Sequence, residues 1–146
     1  MEEKISSIET NDSQNITVIP SSDTIPQVQS FVEIQMEKAM LPMRISHKMS
    51  ISVDELFTNI VQYSSASWAK VSCHIDEEKV EVIMLDNGVR YNPLLKTDPD
   101  VSSSLEKRQI GGLGIFMAKK LLDELDYEYS NNLNKVTLLI KRKESK

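Results

Sequence analysis

The sequence is poor in glycine, cysteine and aromatic residues. Its 146 residues include four glycines, one cysteine and one tryptophan, and aromatic side chains make up only 5% of the chain. A single cysteine cannot form an internal disulfide, and no cysteine or histidine cluster has the spacing of a metal site. Cys73 lies in a pattern of alternating apolar and polar residues, so we expect it to be a small core residue of a strand.

Long apolar runs and an excess of basic residues are also missing. No run approaches the ~20 apolar residues that a membrane-spanning helix needs, and the polar N-terminus does not resemble a signal peptide. The formal charge of −5 argues against nucleic-acid binding, which needs a clustered basic face. We therefore expect a cytoplasmic protein without a nucleic-acid or membrane partner.

The apolar pattern predicts one α+β domain. The predicted elements, in order, are a strand at 15–20, a helix between the caps at 21–24 and Pro42, a connector at 42–51, a helix that opens at 52, a hairpin at 69–84, a long polar loop at 94–109 that we interpret as a lid, a helix from 115, and a hairpin at 127–140. This order predicts a two-layer α/β sandwich, in which three helices cover one face of a mixed, mostly antiparallel sheet. We expect residues 1–14 to be a flexible N-terminus, 15–142 to be the domain, and 143–146 to be a charged tail.

Three of the four glycines lie in the stretch from Arg108 to Lys120, at Gly111, Gly112 and Gly114. A helical pattern follows at once. Glycine accepts positive φ and lets a ligand approach the backbone, and a helix N-terminus attracts phosphate. A flexible turn before an ordinary core helix explains this stretch equally well, because a short glycine cluster is a weak motif.

A second group of polar residues lies on the helix that opens at Ser52. Glu55 and Asn59 are four residues apart, so they lie one turn apart on the same side of the helix. Ser52 and Glu55 also fit a helix-capping box, which would make Glu55 a helix-start residue only. Capping does not explain Asn59, which has a low propensity for a helix interior. The buried stripe of this helix is predicted to comprise Val53, Leu56, Phe57, Ile60 and Val61.

The third group is Asp86-Asn-Gly88, at the end of an apolar strand. Taken alone, it is most simply explained as a tight turn. The order of the three groups changes that interpretation. Glu-x-x-x-Asn, then Asp-x-Gly, then Gly-Gly-Leu-Gly resembles the ordered motif set of the GHKL ATPase/kinase superfamily.

Within that superfamily the chain looks most like the anti-sigma-factor serine/threonine kinases. The residues that carry the narrower resemblance are Glu55-Leu-Phe-Thr-Asn-Ile-Val, Asp86-Asn-Gly-Val-Arg-Tyr-Asn-Pro93 and Gly111-Gly-Leu-Gly-Ile-Phe. The resemblance covers about residues 15 to 142 and implies the same two-layer fold.

The resemblance implies that the ligand is Mg–ATP. Asp86 would accept a hydrogen bond from the exocyclic amine of adenine, where guanine presents a carbonyl that a carboxylate rejects. Gly88 would let the backbone approach the adenine ring. Asn59 would offer its amide oxygen to Mg²⁺, which takes most of its other ligands from phosphates and water.

The remaining implied roles concern the phosphates and the chemistry. The phosphates would be held by the backbone of Gly111, Gly112, Leu113 and Gly114. Arg108 would neutralise charge on the γ-phosphate, unless it is simply an exposed lid residue. Glu55, with an ordinary pKa of ~4.3 that burial would raise, would be the base for a serine or threonine hydroxyl. Thr137 matches a family threonine near adenine.

The sequence departs from its relatives after the asparagine. Where the family often has a basic residue followed by His or Tyr, this chain has Gln62-Tyr63-Ser64, so phosphate contacts from this helix are in question. There is no Gly-x-x-x-x-Gly-Lys-Ser/Thr loop and no helical hairpin with a phosphoacceptor histidine, which argues against a P-loop ATPase and a self-contained histidine kinase.

The sequence therefore predicts a serine/threonine kinase of a partner-switching module. Its substrate would be an anti-anti-sigma (STAS-domain) protein, a sigma factor is a possible second partner, and the resemblance implies a homodimer. The alternative is a non-catalytic, ATP-gated protein that sequesters a regulatory partner. A third interpretation, an ATP-hydrolysing piece of a larger machine, is disfavoured because no transducer domain follows.

Overall fold

The computed structural model describes residues 13–95 and 112–143. Its strands and helices are, in chain order, β1 (Ser13–Val18), α1 (Ile25–Lys38), α2 (Met43–Tyr63), β2 (Ala69–Ile75), β3 (Lys79–Asp86), α3 (Gly112–Leu121), β4 (Glu124–Ser130) and β5 (Leu133–Lys141). Single 3₁₀ turns occupy Ser22–Thr24 and Pro93–Leu95. Residues 96–109 of the predicted lid lie outside the described residues.

The five strands form one sheet in the order β1-β2-β3-β5-β4. All four pairings are antiparallel, so the described sheet is wholly antiparallel rather than mixed. β3 and β5, the third and fourth strands of the sheet, pair from Lys79 opposite Lys141 to Asp86 opposite Asn134. The predicted α+β sandwich with three helices and a mainly antiparallel sheet is confirmed.

The core lies between this sheet and the helices. Alternate residues of β3, Val80, Val82 and Met84, are fully buried because side chains of a strand point in turn to its two faces. The same alternation holds for β2, where the predicted core residue Cys73 is 2% exposed. No helix within the described ranges is long and apolar enough to cross a membrane.

The predicted connector at 42–51 is wrong, because α2 already begins at Met43. Ile45, Met49 and Val53 follow each other at four-residue intervals and are all completely buried. Ser52, predicted as the helix cap, lies inside the helix and donates its hydroxyl to the Lys48 carbonyl at 2.9 Å. A capping role for this pair is excluded, and Glu55 lies in the interior of a 21-residue helix.

Candidate functional site

Two of the predicted site residues meet at one cavity between α2, β3 and β5. Asn59 is 3% exposed and Asp86 is 2% exposed, although both are polar. A buried polar side chain is costly unless it is hydrogen-bonded, so such a pair needs a partner or a task. The cavity is lined by Leu56, Asn59, Ile60, Ser64, Asp86, Tyr91, Pro93, Asn134 and Val136.

Asp86 is held by two hydrogen bonds that both end on one of its oxygens. The Gly88 amide donates to Oδ1 at 2.9 Å, and the Asn134 side-chain amide donates to the same atom at 3.0 Å. The carboxylate is therefore fixed in orientation. Because both of these bonds end on Oδ1, Oδ2 is the oxygen that can accept a hydrogen bond from a ligand.

Asn134 connects three parts of the site, and sequence reasoning missed it. Its Nδ2 also donates to the Val89 carbonyl at 2.9 Å, while its Oδ1 accepts from the Tyr91 amide at 3.1 Å and from the Tyr127 hydroxyl. Its acceptor and its donors are thus all in use. Burial raises the pKa of that Tyr127 hydroxyl further above neutral pH, where a phenol is already an uncharged donor.

The structure does not bring Thr137 to this cavity. Asn134 lies opposite Asp86 in the β3–β5 register, and Thr137 lies three residues further along β5, opposite Ile83. Since side chains alternate between faces, an odd step puts Thr137 on the face of the sheet away from the helices. The alternation of side chains along β5 was the signal in the sequence that could have identified Asn134, rather than Thr137, as a residue of the cavity.

Glu55 lies beside the cavity rather than in its wall. Asn59 Nδ2 donates to Glu55 Oε2 at 3.3 Å, which joins the two residues one turn apart as predicted. From the other side, Gly114 of α3 packs against the Glu55 side chain, and a Cβ built on Gly114 would lie 2.7 Å from Glu55 Cγ. A Cβ there would require the Glu55 side chain to move, so α3 approaches α2 closely at the predicted catalytic residue.

Gly88 also allows a close approach, but the approaching atoms belong to the protein itself. A Cβ at this position would lie 2.7 Å from the carbonyl carbon of Ser64, and the Val89 amide donates to the Ser64 carbonyl oxygen at 2.7 Å. None of the described glycines has a positive φ. Glycine is thus required by the packing of the β3 end on the α2 end, and its contact with adenine stays a prediction.

The phosphate-binding stretch is described only in part. Arg108 and Gly111 lie outside the described residues. The structure places Gly112, Leu113 and Gly114 in the first turn of α3, where we had predicted a loop. Amides in the first turn of a helix lack intrahelical partners, so this turn keeps the donors that an anion needs.

Two further hydroxyls belong to the cavity. Ser64 and Tyr91 line it, and the hydroxyl oxygen of each is buried without a hydrogen-bond partner in the described part of the chain. The ring of Tyr91 stacks on Tyr63, with 5.0 Å between the ring centroids. Sequence reasoning had used Tyr63 and Ser64 only as departures from the family pattern.

The comparisons with known proteins agree with this geometry. Residues 20–140 match the family model described as the histidine kinase-like ATPase domain. The chain belongs to this family. The recognition of the GHKL superfamily is thereby confirmed.

Several relatives of this histidine kinase-like ATPase domain are named as kinases. The serine/threonine-protein kinase BtrW of Bordetella bronchiseptica is 25% identical over 99 residues, which is 65% of this chain and 70% of that protein. The serine-protein kinase RsbW of Listeria innocua is 30% identical over 96 residues, which is 60% of this chain and 61% of that protein. The match thus spans only about two thirds of these relatives' length.

Two solved structures share the fold of this histidine kinase-like ATPase domain. The RsbU and RsbW domains of a Mycobacterium tuberculosis protein superpose with a TM-score of 0.63 at 12% identity, covering 93% of this chain and 34% of that one. The catalytic domain of the histidine kinase ThkA gives a TM-score of 0.50 at 14% identity, covering 88% of this chain and 98% of that one. At these identities the likeness concerns the fold alone.

The residues present fit the base of ATP, the ligand that this family implies. A buried carboxylate, a buried amide and two unpartnered hydroxyls surround one cavity. The space open to a water centre is about 10 Å³, which suffices for a single water, whereas ligand pockets are typically of the order of 300 Å³ or more. In this conformation the cavity is therefore too small to hold a base.

A magnesium ion would have few protein ligands here. No group of three or more His, Cys, Asp or Glu side chains that could hold a metal occurs in the described ranges. Mg²⁺ bound to a nucleotide takes its oxygens mainly from phosphates and water, so the Asn59 amide oxygen is a sufficient protein ligand.

Proposed function

We propose that the protein is an ATP-dependent serine/threonine kinase. The observation that carries the proposal is the juxtaposition of Asp86 and Asn59 in one cavity, with Glu55 hydrogen-bonded to Asn59 at 3.3 Å. A base-reading carboxylate, a magnesium ligand and a general base thus follow one another along a single path. The names of the kinase relatives BtrW and RsbW support the same activity.

Asp86 selects the base. Its Oδ1 is occupied by Gly88 and Asn134, so Oδ2 accepts from the exocyclic amine of adenine. Guanine would set a carbonyl oxygen against this carboxylate, and two buried acceptors without a proton between them are costly. Selection of adenine over guanine therefore depends on a carboxylate that cannot rotate away.

Asn59 and Glu55 work on the phosphate end. Asn59 donates from its amide nitrogen to Glu55, so its amide oxygen is the atom that would hold Mg²⁺, and the ion would supply positive charge next to the phosphates. Glu55 accepts the proton of the serine or threonine hydroxyl as the hydroxyl oxygen bonds to the γ-phosphorus and the bond from that phosphorus to the β–γ bridging oxygen breaks.

We propose an anti-anti-sigma (STAS-domain) protein as the phosphorylated partner. This choice rests on the resemblance to the anti-sigma-factor kinases and on the RsbW name of several relatives. A sigma factor as a second partner and a homodimer as the working form belong to the same proposal.

The test is transfer of label from γ-labelled ATP to a STAS-domain protein encoded beside this gene. We expect Glu55→Gln to lower the transfer rate by about 10²–10⁴-fold while nucleotide affinity is kept, because a general base contributes to the chemical step alone. Asn59→Ala should lose magnesium-dependent binding, and Asp86→Asn should lose the preference for ATP over GTP. The matched control is Thr137→Val on the opposite face of the sheet, which should leave all three properties unchanged.

Two results would contradict the proposal. Undiminished transfer by Glu55→Gln would remove Glu55 from the chemistry. Tight, ATP-dependent binding of the partner without any transfer by the wild type would instead indicate the non-catalytic, ATP-gated binding protein.

A further inference from the structure

Two residues that line the cavity carry buried hydroxyls without a hydrogen-bond partner in the described ranges. Ser64 follows the last residue of α2 and is 1% exposed, and its Oγ has no hydrogen-bond partner among the described residues. The hydroxyl of Tyr91 is likewise buried without a partner. Most buried side-chain polar atoms in proteins are hydrogen-bonded, so each exception needs an explanation.

The two residues that carry these hydroxyls line the same cavity as Asp86. Ser64 directly follows α2, Tyr91 lies in the segment after β3, and Asp86 is the last residue of β3. The backbone around them is well bonded: the Ser64 carbonyl accepts from Val89, and the Tyr91 amide donates to Asn134. Among the described residues, these two hydroxyls are the buried side-chain N and O atoms without a partner.

We propose that the hydroxyls of Ser64 and Tyr91 bind the nucleotide base, by donating hydrogen bonds to the ring nitrogens next to the amine that Asp86 holds. The inference rests on the proposed function, because it assumes that adenine is the ligand of this cavity. A hydroxyl can turn its hydrogen toward an acceptor, and adenine has acceptor nitrogens on both sides of its amine. The unbound protein thus keeps two donors unsatisfied that the base satisfies.

The competing explanation is a permanent structural water. The cavity offers about 10 Å³ to a water centre, at the lower limit for one molecule. The two explanations differ in what the hydroxyls do before the base arrives. A hydroxyl that is hydrogen-bonded to a buried water stabilises the folded state, whereas a buried hydroxyl without a partner destabilises it.

The experiment combines thermal unfolding of the nucleotide-free protein with calorimetry of Mg–ADP binding, for Ser64→Ala and Tyr91→Phe. We expect each variant to melt within about 1 °C of the wild type or above it, and to bind Mg–ADP about three- to tenfold more weakly. Tyr91→Phe keeps the ring that stacks on Tyr63, so only the hydroxyl is tested. An ADP analogue with CH in place of the ring nitrogen N1 or N7 should weaken wild-type binding, and the matching variant should show no additional loss.

Ser67→Ala and Tyr129→Phe are the matched controls. Ser67 Oγ accepts from Asn87 Nδ2 at 2.8 Å outside the cavity, so its removal should leave Mg–ADP affinity unchanged. Tyr129 lies under Arg90 in a neighbouring groove and should behave in the same way.

The outcomes separate the inference from the function on which it rests. Each hydroxyl is tested by its own variant. Its assignment is overturned if the variant binds Mg–ADP with unchanged affinity, or if the variant without nucleotide melts several degrees lower than the wild type, which indicates a structural role. A wild type that binds no adenine nucleotide overturns the proposed function and this inference together.

Discussion

Replacing Asn134 by alanine should cost more stability than any other polar substitution in the sheet. Asn134 is 2% exposed and joins Asp86 and the Val89 carbonyl to the Tyr91 amide and the Tyr127 hydroxyl. Leaving a buried polar group without its partner costs about 1–3 kcal/mol. Asp86 retains its bond from Gly88, and water entering the space replaces some of the others. We therefore expect a net loss of about 3 kcal/mol, well below the sum of the separate costs.

Urea unfolding followed by tryptophan fluorescence measures this loss directly. Trp68 is the single tryptophan, and its amide donates to Asn87 Oδ1 at 3.1 Å, just beyond the end of β3. In a thermal melt the same loss corresponds to roughly 10 °C for a chain of this length. The matched control is Asn15→Ala on the exposed part of edge strand β1, where we expect a change within about 0.5 kcal/mol. A loss below about 1 kcal/mol for Asn134→Ala would refute the view that this side chain holds the site together.

Three further predictions concern the close contacts and the thiol. Gly88→Ala should lower the free energy of unfolding by about 2–4 kcal/mol in urea titration, because its Cβ meets backbone atoms of Ser64 that cannot turn aside; a neutral effect would contradict the contact. Gly114→Ala should lower the free energy of unfolding by about 1 kcal/mol or less, since the flexible Glu55 side chain can turn away and alanine favours a helix. The same variant should transfer phosphate more slowly at unchanged ATP affinity, because Glu55 is displaced. An unchanged transfer rate would argue against Glu55 as the base. Burial raises the pKa of the Cys73 thiol to about 12, so an aromatic disulfide reagent at pH 8 should label it only when urea unfolds the protein; rapid labelling of the folded protein would show that β2 opens.

The sequence predicted the parts of the site that depend on local spacing. The alternation of Val71 and Cys73 was sufficient to define β2, and the four-residue interval between Glu55 and Asn59 placed them one turn apart, where the structure shows them hydrogen-bonded. Both are short-range relations that follow from the geometry of a strand and a helix. The Asp86-Asn-Gly motif also pointed to a buried carboxylate at the end of β3.

Relations between distant segments could not be predicted in this way. Thr137 was predicted from a family resemblance alone, and Asn134 was not considered, because the pairing register of β5 on β3 decides which residue lies opposite Asp86 and register is a property of two strands together. The early start of α2 was missed because the polar residues Ser46, Lys48 and Ser50 interrupt the apolar pattern of its first turns, so that the buried positions there were not recognised as a helical stripe. The close contacts at the glycines depend on helix packing, which composition does not reveal.

The bond between Asp86 and Asn134 joins residues 48 positions apart in sequence. Neither half of the chain can therefore build a binding site by itself, because a fragment ending before β5 would lack both the amide and the strand on which it is carried. Assembly of the pocket and completion of the sheet become a single cooperative event. A cut between β3 and α3 would place the two partners of this bond on separate fragments, so it should weaken binding and folding together.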